Sequence, residues 1–346
     1  MLTVLHVLNT GSYSGAENVV ITIIRHFDKS KYRLIYVSLE GSIRKVLEEN
    51  RIEYEPITSM CRAEIKRVIK KYNPDIIHAH DFTAGVICSL STKKNIINHL
   101  HNNSPWIKKI SCKSLLYFIS SLRFKKILTV SSSIMNEYVF GWVLKNKTVT
   151  IGNPIDIGRI RECAVVTNKK YDVAFLGRLS YPKNPMGFLD IISIIKEKIS
   201  TIHAVIIGDG EMRTEIEERI IKDNLNECIE LVGFQNNPYT YLSVSKILCM
   251  PSKWEGFGLA AVEALALGKP VIASNVGGLP DIVTSECGKL CVDKYEFAKE
   301  IINLLEDPVR YSKFSTFAKM RADKLANLDE FIKNISYLYC EISNKQ

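Results

Sequence analysis

The sequence predicts an α/β protein built from two doubly wound, Rossmann-like domains. The chain has 346 residues, about twice the usual length of a single domain. Short apolar segments typical of buried strands alternate with segments of helical periodicity along nearly the whole chain. A strand, a glycine-containing loop and a helix follow one another at residues 3–27, and the same succession restarts at residue 173.

The domain boundaries follow from where this alternation stops and restarts. We expect the first domain to span residues 1–160 and the second domain residues 171–325. Residues 161–171 carry no periodic pattern, which predicts a hinge between the domains. A last helix is predicted from about Leu328 to Ile342.

Composition places the chain among ordinary globular proteins, with 46% hydrophobic and 24% charged residues. The N-terminus has the pattern of a strand and not of a signal peptide. No apolar run approaches the roughly 18 residues of a membrane span, so a cytoplasmic protein is expected. The nine cysteines match no standard zinc pattern and are expected to be reduced.

Charge is distributed unevenly along the chain. Residues 1–160 carry 23 Lys and Arg against 12 Asp and Glu, whereas the remainder carries 23 against 25. A basic half suggests an anionic partner, which could be lipid, nucleic acid or an acidic substrate. Residues 107–126 mix apolar and basic positions, a pattern that predicts a basic amphipathic helix lying on an anionic membrane surface. The alternative, to which we give equal weight, is a helix packed against the protein with its Lys and Arg side chains in solvent. Nucleic acid is disfavoured, because no recognised binding motif accompanies the charge.

Three features of the first half lie at predicted strand ends. The strand, glycine loop and helix around residues 9–17 have the order of a phosphate-binding loop. The loop lacks the G-x-G-x-x-G motif of nicotinamide-binding proteins. The alternative is a tight turn that binds no ligand. His78 and His80 share one face of a strand, a spacing compatible with metal ligation; no complementary Cys or acidic cluster accompanies them, so packing is favoured and no metal is predicted. His101 follows the strand Ile96–Leu100 and is expected to face the crevice where doubly wound sheets bind ligands.

In the second half, a cationic loop lies between a strand and a helix, with the sequence Gly-Arg-Leu-Ser-Tyr-Pro-Lys-Asn-Pro at residues 177–185. Two fixed cations near a helix N-terminus, Arg178 and Lys183, would stabilise the charge that develops on a leaving diphosphate. The alternative is a chance pair of surface cations.

The stretch from Pro251 to Ser274 predicts a strand end, a glycine-containing loop and a helix from about Leu259. Glu255 and Glu263 lie eight positions apart in the loop and the first turns of that helix. Glycines in the loop leave room for a ligand at the helix N-terminus, where free amides and the helix dipole favour an anion. A phosphate-bearing ligand with hydroxyl groups fits this pattern; a helix cap with solvated carboxylates is the alternative.

These segments resemble the signatures of the retaining GT-B glycosyltransferases of the E-x7-E family, the family 4-like enzymes that include bacterial surface polysaccharide and lipid glycosyltransferases. Glu-Gly-Phe-Gly at residues 255–258, followed by Glu263, matches the E-x7-E motif. Residues 177–185 are similar to the G-R-L-x-x-x-K-N motif, and residues 9–17 to a G-G-A-E loop in which Ser14 replaces the first glycine. Further matching segments are residues 74–80, 130–133, 152–156, 208–210 and 277–281.

The resemblance implies the GT-B fold, in which two Rossmann-like domains face one another across a cleft and the last helix, about residues 328–346, packs back on the first domain. It implies that Arg178 and Lys183 hold the donor diphosphate and that Glu263 binds the ribose hydroxyls. Glu255 binds sugar hydroxyls near the reacting carbon, and His101 reaches toward the transferred sugar. The other donor-binding positions implied are Gly15, Gly208, Phe234, Gly256, Phe257, Gly258 and Leu259.

We therefore expect a cytoplasmic glycosyltransferase, peripheral on the inner face of the membrane. It would move a hexose or N-acetylhexosamine, with retention, from a nucleotide diphosphate sugar (UDP-sugar favoured) to a saccharide or lipid-linked acceptor in cell-surface polysaccharide synthesis. No metal or cofactor is expected, because the sequence has no D-x-D donor-metal motif. Two alternatives stay open: a catalytically degenerate GT-B scaffold subunit, and a GT-B sugar-nucleotide epimerase.

Overall fold

The computed structural model describes residues 1–165 and 167–343. The chain divides into two compact units, one formed by Met1–Pro154 with the chain from Leu328 onward and the other by Ile155–Asn327. The first boundary therefore lies ahead of residues 161–171, where the sequence places a hinge. Part of that segment belongs to the helix Ile157–Glu162 of the second unit.

The first unit is organised around a seven-stranded parallel sheet. Its strands are β1 (Leu2–Val7), β2 (Tyr32–Leu39), β3 (Tyr54–Ile57), β4 (Ile76–His80), β5 (Asn95–Leu100), β6 (Lys126–Thr129) and β7 (Thr148–Thr150). Its helices are α1 (Gly15–His26), α2 (Ile43–Glu49), α3 (Arg62–Tyr72), α4 (Asp81–Ser91), α5 (Cys112–Ser121), α6 (Ser133–Glu137) and α7 (Gly141–Leu144), with 3-10 turns at Pro105–Lys108 and Lys145–Lys147. The strand order is β3-β2-β1-β4-β5-β6-β7.

The second unit repeats the design with six parallel strands. They are β8 (Tyr171–Leu176), β9 (Ala204–Ile207), β10 (Ile229–Gly233), β11 (Ser245–Met250), β12 (Val271–Ser274) and β13 (Gly288–Cys291), in the order β10-β9-β8-β11-β12-β13. Its helices are α8 (Ile157–Glu162), α9 (Pro185–Lys198), α10 (Arg213–Lys222), α11 (Tyr239–Ser243), α12 (Leu259–Ala266), α13 (Leu279–Ile282), α14 (Lys294–Glu306) and α15 (Pro308–Leu325), with a 3-10 turn at Tyr181–Lys183. The prediction of two α/β units with parallel sheets is confirmed.

Both faces of the second sheet are buried. Val173 of β8 and Ile247 of β11 join one apolar cluster, while the residues that follow them, Ala174 and Leu248, join another. Successive side chains of a strand point to opposite faces, so the two clusters lie on the two sides of the sheet. Helices must cover both sides, which explains why these strands have nearly continuous apolar sequences.

Two helix predictions need correction. Residues 107–126 were expected to form one basic amphipathic helix, but only Cys112–Ser121 is α-helical, and Lys126 already belongs to β6. The sequence pattern also missed α15, in which Asp307 caps the amides of Val309 and Arg310 and Pro308 occupies the first turn. Asp-Pro there begins a helix, since proline suits the first helical position.

No helix in the described ranges is both long enough and apolar enough to span a membrane. All nine cysteines lie within those ranges as free thiols.

The last helix, α16 (Leu328–Ser343), supplies a buried hydroxyl to the first unit. Tyr339 is fully buried, and its hydroxyl lies 2.7 Å from His78 Nδ1 and 3.3 Å from His6 Nε2. Buried polar atoms that lose their partner are costly. Tyr339 therefore fixes α16 against β1 and β4.

We expect Tyr339→Phe to lower the free energy of unfolding by about 1–3 kcal/mol, because two buried imidazole nitrogens lose a partner. The measurement is the midpoint of denaturant unfolding followed by circular dichroism. Tyr337→Phe on the same helix is the matched control, since Tyr337 is 70% exposed and surface changes of this kind stay within about 0.5 kcal/mol. Equal midpoints for the two variants would contradict the assignment.

Candidate active site

The second unit offers a ligand site where its strand order reverses. The strands β8 and β11 are neighbours, yet β9 continues the sheet on one side and β12 on the other. In doubly wound sheets, the crevice beyond the carboxyl ends of two such strands is where ligands bind. The loop Gly177–Asn184 follows β8 and the loop Pro251–Gly258 follows β11. These loops contain five of the charged and glycine positions singled out in the sequence, namely Arg178, Lys183, Glu255, Gly256 and Gly258.

Hydrogen bonds join the two loops. The Asn184 side chain donates from Nδ2 to the carbonyl oxygen of Pro251 at 2.9 Å, and the amide of Lys253 donates to the carbonyl of Pro182 at 2.8 Å. Asn184 has a φ of +54° and accepts from Gly187 N as the N-cap of α9. One asparagine thus starts a helix and holds the neighbouring loop.

Lys183 and Glu255 form an ion pair at the centre of this arrangement. Lys183 Nζ lies 2.5 Å from Glu255 Oε2. The Glu255 residue is only 8% exposed, so its carboxylate needs this partner to remain charged away from water. The sequence placed these residues in one site through separate motifs, and the structure brings their side chains into contact.

The backbone of Glu255 is positioned by a glycine contact. A Cβ on Gly277 would lie 1.6 Å from the Glu255 carbonyl oxygen, and Gly277 has a φ of +56°. A Cβ on Gly278 would lie 2.6 Å from the carbonyl oxygen of Gly256. Only glycine fits at such approaches, so the loop after β12 packs directly against the loop that carries the carboxylate.

Glu263, on α12, is partly buried, and its Oε1 accepts a hydrogen bond from the Tyr239 hydroxyl at 3.1 Å. Burial raises the pKa of Glu263 to about 7, although the Tyr239 hydrogen bond and the charge of Lys183 act in the opposite direction. Its carboxyl is therefore divided between the protonated and ionised forms near neutral pH. Tyr239 was not anticipated from the sequence, since it lies 24 residues before Glu263.

The start of α12 lacks a side-chain cap. Gly258 precedes Leu259 with a φ of +104° and, as a glycine, has no side chain that could cap the helix. An uncapped helix N-terminus favours an anion. Phe257, the residue before it, packs against the apolar cluster that contains the buried face of α12. Phe257 thus anchors the loop directly before an uncapped helix N-terminus.

Three neighbouring strands end in glycines that pack closely. The amide of Gly177 donates to Ile207 O at 3.0 Å and that of Gly208 to Gly233 O at 2.9 Å. Gly208 has a φ of +145°, and a Cβ on it would lie 1.9 Å from the Gly177 carbonyl oxygen. Gly208, predicted from its motif, therefore shapes the backbone surface at the ends of β8, β9 and β10.

Two other predicted donor residues take no part in the Lys183–Glu255 ion pair. Arg178 Nε pairs with Glu211 Oε2 at 3.2 Å, and both side chains are 57% exposed. Phe234, in the loop after β10, is half exposed. The Arg178–Glu211 pair was not foreseen from the sequence, because Glu211 lies on another loop.

Gly15 and His101 belong to the first unit. Gly15 is the first residue of α1, and the Ser14 hydroxyl donates to the carboxylate of Glu17. The Thr10 hydroxyl donates to the other Glu17 oxygen at 2.6 Å, and Glu17 is only 3% exposed. Ser14, which departs from the family's glycine, therefore holds a buried carboxylate.

His101 is fixed through its backbone and its ring. Its amide donates to Asp81 Oδ1 at 3.0 Å, and its Nε2 lies 2.9 Å from His80 Nδ1. Burial lowers the pKa of His101 to about 3 and raises that of Asp81 to about 7. The His101 imidazole is therefore neutral at physiological pH.

His101 begins a buried chain of hydrogen-bonding groups. His80 Nε2 lies 3.0 Å from His6 Nδ1, and His6 continues through the Tyr339 hydroxyl to His78. Burial lowers the pKa of His6 to about 3 and that of His78 and His80 well below the usual value. The sequence indicated His78 and His80 as packed residues but did not anticipate that His6 joins them.

The chain matches two protein-family models. "Glycosyltransferase Family 4" matches residues 13–159 and "Glycosyl transferases group 1" matches residues 156–321. Together the matches extend through both units.

Known proteins agree with these matches. The uncharacterized glycosyltransferase MJ1178 of Methanocaldococcus jannaschii is 29% identical over 285 residues, covering 80% of this chain and 75% of that protein. The Escherichia coli UDP-Gal:alpha-D-GlcNAc-diphosphoundecaprenol alpha-1,3-galactosyltransferase is 24% identical over 294 residues, covering 78% of this chain and 75% of that protein. The crystal structure of Anabaena HepE in complex with UDP-glucose has the same fold, with a TM-score of 0.86 at 20% identity, covering 99% of this chain and 100% of that one. The chain is therefore a glycosyltransferase of the GT-B fold, belonging to the family with a family 4 N-terminal unit and a group 1 C-terminal unit.

Proposed function

We propose that this glycosyltransferase moves a hexose or N-acetylhexosamine from a UDP-sugar to a saccharide or lipid-linked acceptor, with retention, in cell-surface polysaccharide synthesis. The observation that carries the proposal is the Lys183–Glu255 ion pair between the loops that follow β8 and β11. It lies where a doubly wound sheet binds ligands, and it combines a cation for the diphosphate with a carboxylate for sugar hydroxyls.

Lys183 and Arg178 are assigned to the donor diphosphate, with the uncapped amides at Leu259. In the transfer step, the bond between the anomeric carbon and the phosphate oxygen breaks, and its electron pair stays on the diphosphate. Fixed cations and amides aimed at that oxygen stabilise the developing charge. The acceptor hydroxyl oxygen bonds to the carbon on the same face, and the departing phosphate takes its proton.

The two carboxylates are assigned to hydroxyl groups, with Glu263 on the ribose and Glu255 on the sugar near the reacting carbon. Phe234 and its loop are assigned to the base, next to the strand-end surface formed by Gly208. The UDP preference is supported by two similar proteins, since HepE was crystallised with UDP-glucose and the E. coli relative is named for UDP-Gal. Gly15 and the neutral His101 of the first unit are assigned to the same reaction.

The lipid-linked acceptor is supported by the same E. coli relative, whose name specifies a diphosphoundecaprenol acceptor. The first unit presents an apolar surface suited to such a substrate. On α5, Tyr117 and Ser120 face inward, whereas Leu115, Leu116 and Ile119 are 46–54% exposed. We call this exposed face, together with Leu122, the α5 apolar face.

Several basic residues lie close to the α5 apolar face in sequence. Lys109, Lys113 and Lys125 are exposed, whereas Lys108 pairs with Glu137 at 3.4 Å and Lys126 lies 3.9 Å from Glu341. Exposed apolar side chains together with exposed lysines favour an anionic bilayer surface. We therefore propose that the enzyme binds peripherally to the cytoplasmic membrane through this face.

We expect Glu255→Gln to lower kcat by at least about 100-fold, since removing one group that acts at the reacting centre costs roughly 100- to 1,000-fold. The assay follows UDP release and product formation with a panel of UDP-sugars and a lipid-linked acceptor, and NMR of the new anomeric proton reports retention. Glu218→Gln, an exposed position on α10, is the matched control and should keep full activity.

Other outcomes of this assay would overturn the proposal. Near-normal turnover of the Glu255→Gln variant or an inverted product would reject the assigned mechanism. An isomerised donor formed without acceptor would indicate an epimerase. If none of the UDP-sugars in the panel gave UDP release, a scaffold subunit would be favoured.

The pKa of Glu263 predicts a pH dependence of donor binding. Hydroxyl donors favour the ionised carboxylate, but the free protein holds Glu263 mostly protonated below its pKa of about 7. Binding then displaces a proton, so the affinity for UDP-glucose should rise from pH 5.5 to pH 7 by up to about tenfold per unit and level off above it. Calorimetry measures this slope. Glu263→Gln should bind more weakly and without the slope, and a wild-type slope in that variant would contradict the ribose contact.

Membrane binding can be tested by vesicle sedimentation. Ile119→Ser should weaken binding to vesicles of phosphatidylcholine and phosphatidylglycerol by about tenfold or more, because burying such a side chain contributes roughly 1.5–3 kcal/mol. Ile221→Ser in the second unit is the matched control, as Ile221 is 70% exposed. The triple change of Lys109, Lys113 and Lys125 to Gln should weaken binding only to vesicles with anionic lipid. Unchanged partitioning of both variants would remove the membrane proposal.

A further inference from the structure

Five of the seven histidines lie together on one face of the first sheet. His6 of β1 is in register with His78 of β4, and His80 is in register with His99 of β5. Ring centroids lie 4.4 Å apart for His78 and His80 and 4.2 Å apart for His99 and His101. Three parallel strands thus bring into contact residues that are far apart in sequence.

Two groups of three have ring nitrogens close enough to share one metal ion. In each of the groups His6/His78/His80 and His80/His99/His101, one nitrogen per residue lies within 4.8 Å of the others. The hydrogen-bond partners distinguish the groups. His6 and His78 are both bonded to the Tyr339 hydroxyl.

The second group contains more nitrogens without a partner. Within the described residues, both ring nitrogens of His99 and Nδ1 of His101 are buried and make no hydrogen bond, whereas in the first group only His78 Nε2 is in that state. A buried polar atom without a partner is rare and costs about 1–3 kcal/mol. An unpartnered imidazole that is at least nine-tenths buried, as His99 is, therefore points to a missing ligand.

We propose that His80, His99 and His101 bind a divalent transition-metal ion such as Zn²⁺. Neutral imidazole is the commonest zinc ligand, and burial keeps all three rings neutral by lowering their pKa values. At the usual Zn–N distance of about 2.0–2.1 Å, two ligands of a tetrahedral ion lie roughly 3.4 Å apart. His80 Nδ1 and His101 Nε2 are 2.9 Å apart, so an ion could replace the proton they share after a small movement.

The surrounding hydrogen bonds suit this arrangement. With the ion on His80 Nδ1, the proton of His80 lies on Nε2 and is donated to His6 Nδ1. His6 then donates to the Tyr339 hydroxyl, which donates to His78 Nδ1. Metal-bound histidines commonly use the other ring nitrogen in this way, which fixes the tautomer.

The backbone of the third ligand is also fixed. Asp81, which has a φ of +64°, accepts the His101 amide at 3.0 Å. The site therefore has two ligands on rigid strands and a third held at a strand end. This inference does not rest on the transfer reaction, since metal binding is measured without donor or acceptor.

The test uses the full-length, tag-free protein after treatment with EDTA and gel filtration. Titration with Co²⁺ should give the visible bands of a tetrahedral nitrogen site, and Zn²⁺ should bind in competition with a chromophoric chelator at one ion per chain. His99→Asn should weaken Zn²⁺ binding by at least about 100-fold, the upper end of the loss from removing a supporting partner. His101→Asn changes a residue outside the strand and should have the same effect. It replaces His99→Asn as the test if circular dichroism shows that His99→Asn is unfolded.

Two controls locate the ion. The double variant His26→Asn with His203→Asn removes the two exposed histidines outside the cluster and should leave binding unchanged. His78→Asn should weaken binding by less than about tenfold, because His78 stacks on His80 but is hydrogen-bonded to the site only through Tyr339 and His6. Loss of binding in either control with retention in His99→Asn would overturn the proposed ligand set. Failure of the folded wild-type protein to take up Co²⁺ or Zn²⁺ would overturn the site itself.

Discussion

The candidate active site depends on keeping a lysine and a glutamate paired between two loops of one sheet. Lys183 follows β8 and Glu255 follows β11, and the strand order alone makes these loops neighbours. A buried carboxylate without its cation would be strongly disfavoured. The pair therefore requires that both loops keep their conformation, and Asn184 and Gly277 supply the contacts that hold them. These contacts fix the positions of Lys183 and Glu255, two of the groups that we assign to the donor.

The two units use related topology for different local chemistry. In each sheet the order reverses between the first and fourth strands of the unit, so the loops after those strands meet. In the second unit this meeting point holds an ion pair and an uncapped helix. In the first unit the corresponding ends hold Glu17, which is hydrogen-bonded to the loop after β1, and the neutral histidines of β4. The basic character of the first half comes from its surface and not from these strand ends.

The sequence was sufficient for the fold and for the glycine-rich loops, because strand–loop–helix periodicity and glycine spacing are local properties. Contacts between distant segments were harder to predict. Lys183 and Glu255 are separated by 72 positions, and only a family motif suggested that they share a site. The histidine cluster depends on the register of β1, β4 and β5, which no local pattern specifies.

Errors at helix ends had a similar cause. The sequence pattern missed α15, the longest helix of the second unit, which begins where the carboxylate of Asp307 accepts hydrogen bonds from the amides of Val309 and Arg310. Residues 107–126 have the composition of a long amphipathic helix, yet the capping box formed by Ser111 and Ser114 starts it late, and β6 begins at Lys126. Side-chain geometry that overrides composition decides both boundaries.

The close packing of Gly177, Gly208 and Gly233 has a consequence for how such an enzyme can diversify. The backbone at these strand ends leaves no room for a side chain at Gly208. The surface formed by these three glycines therefore cannot be altered without disturbing the sheet. The residues just beyond it, such as Arg178, Asp209 and Phe234, are solvent-accessible and carry no such packing restriction. Substitutions that change nucleotide or sugar preference can therefore accumulate at these accessible positions with little loss of stability, while the glycine surface stays unchanged.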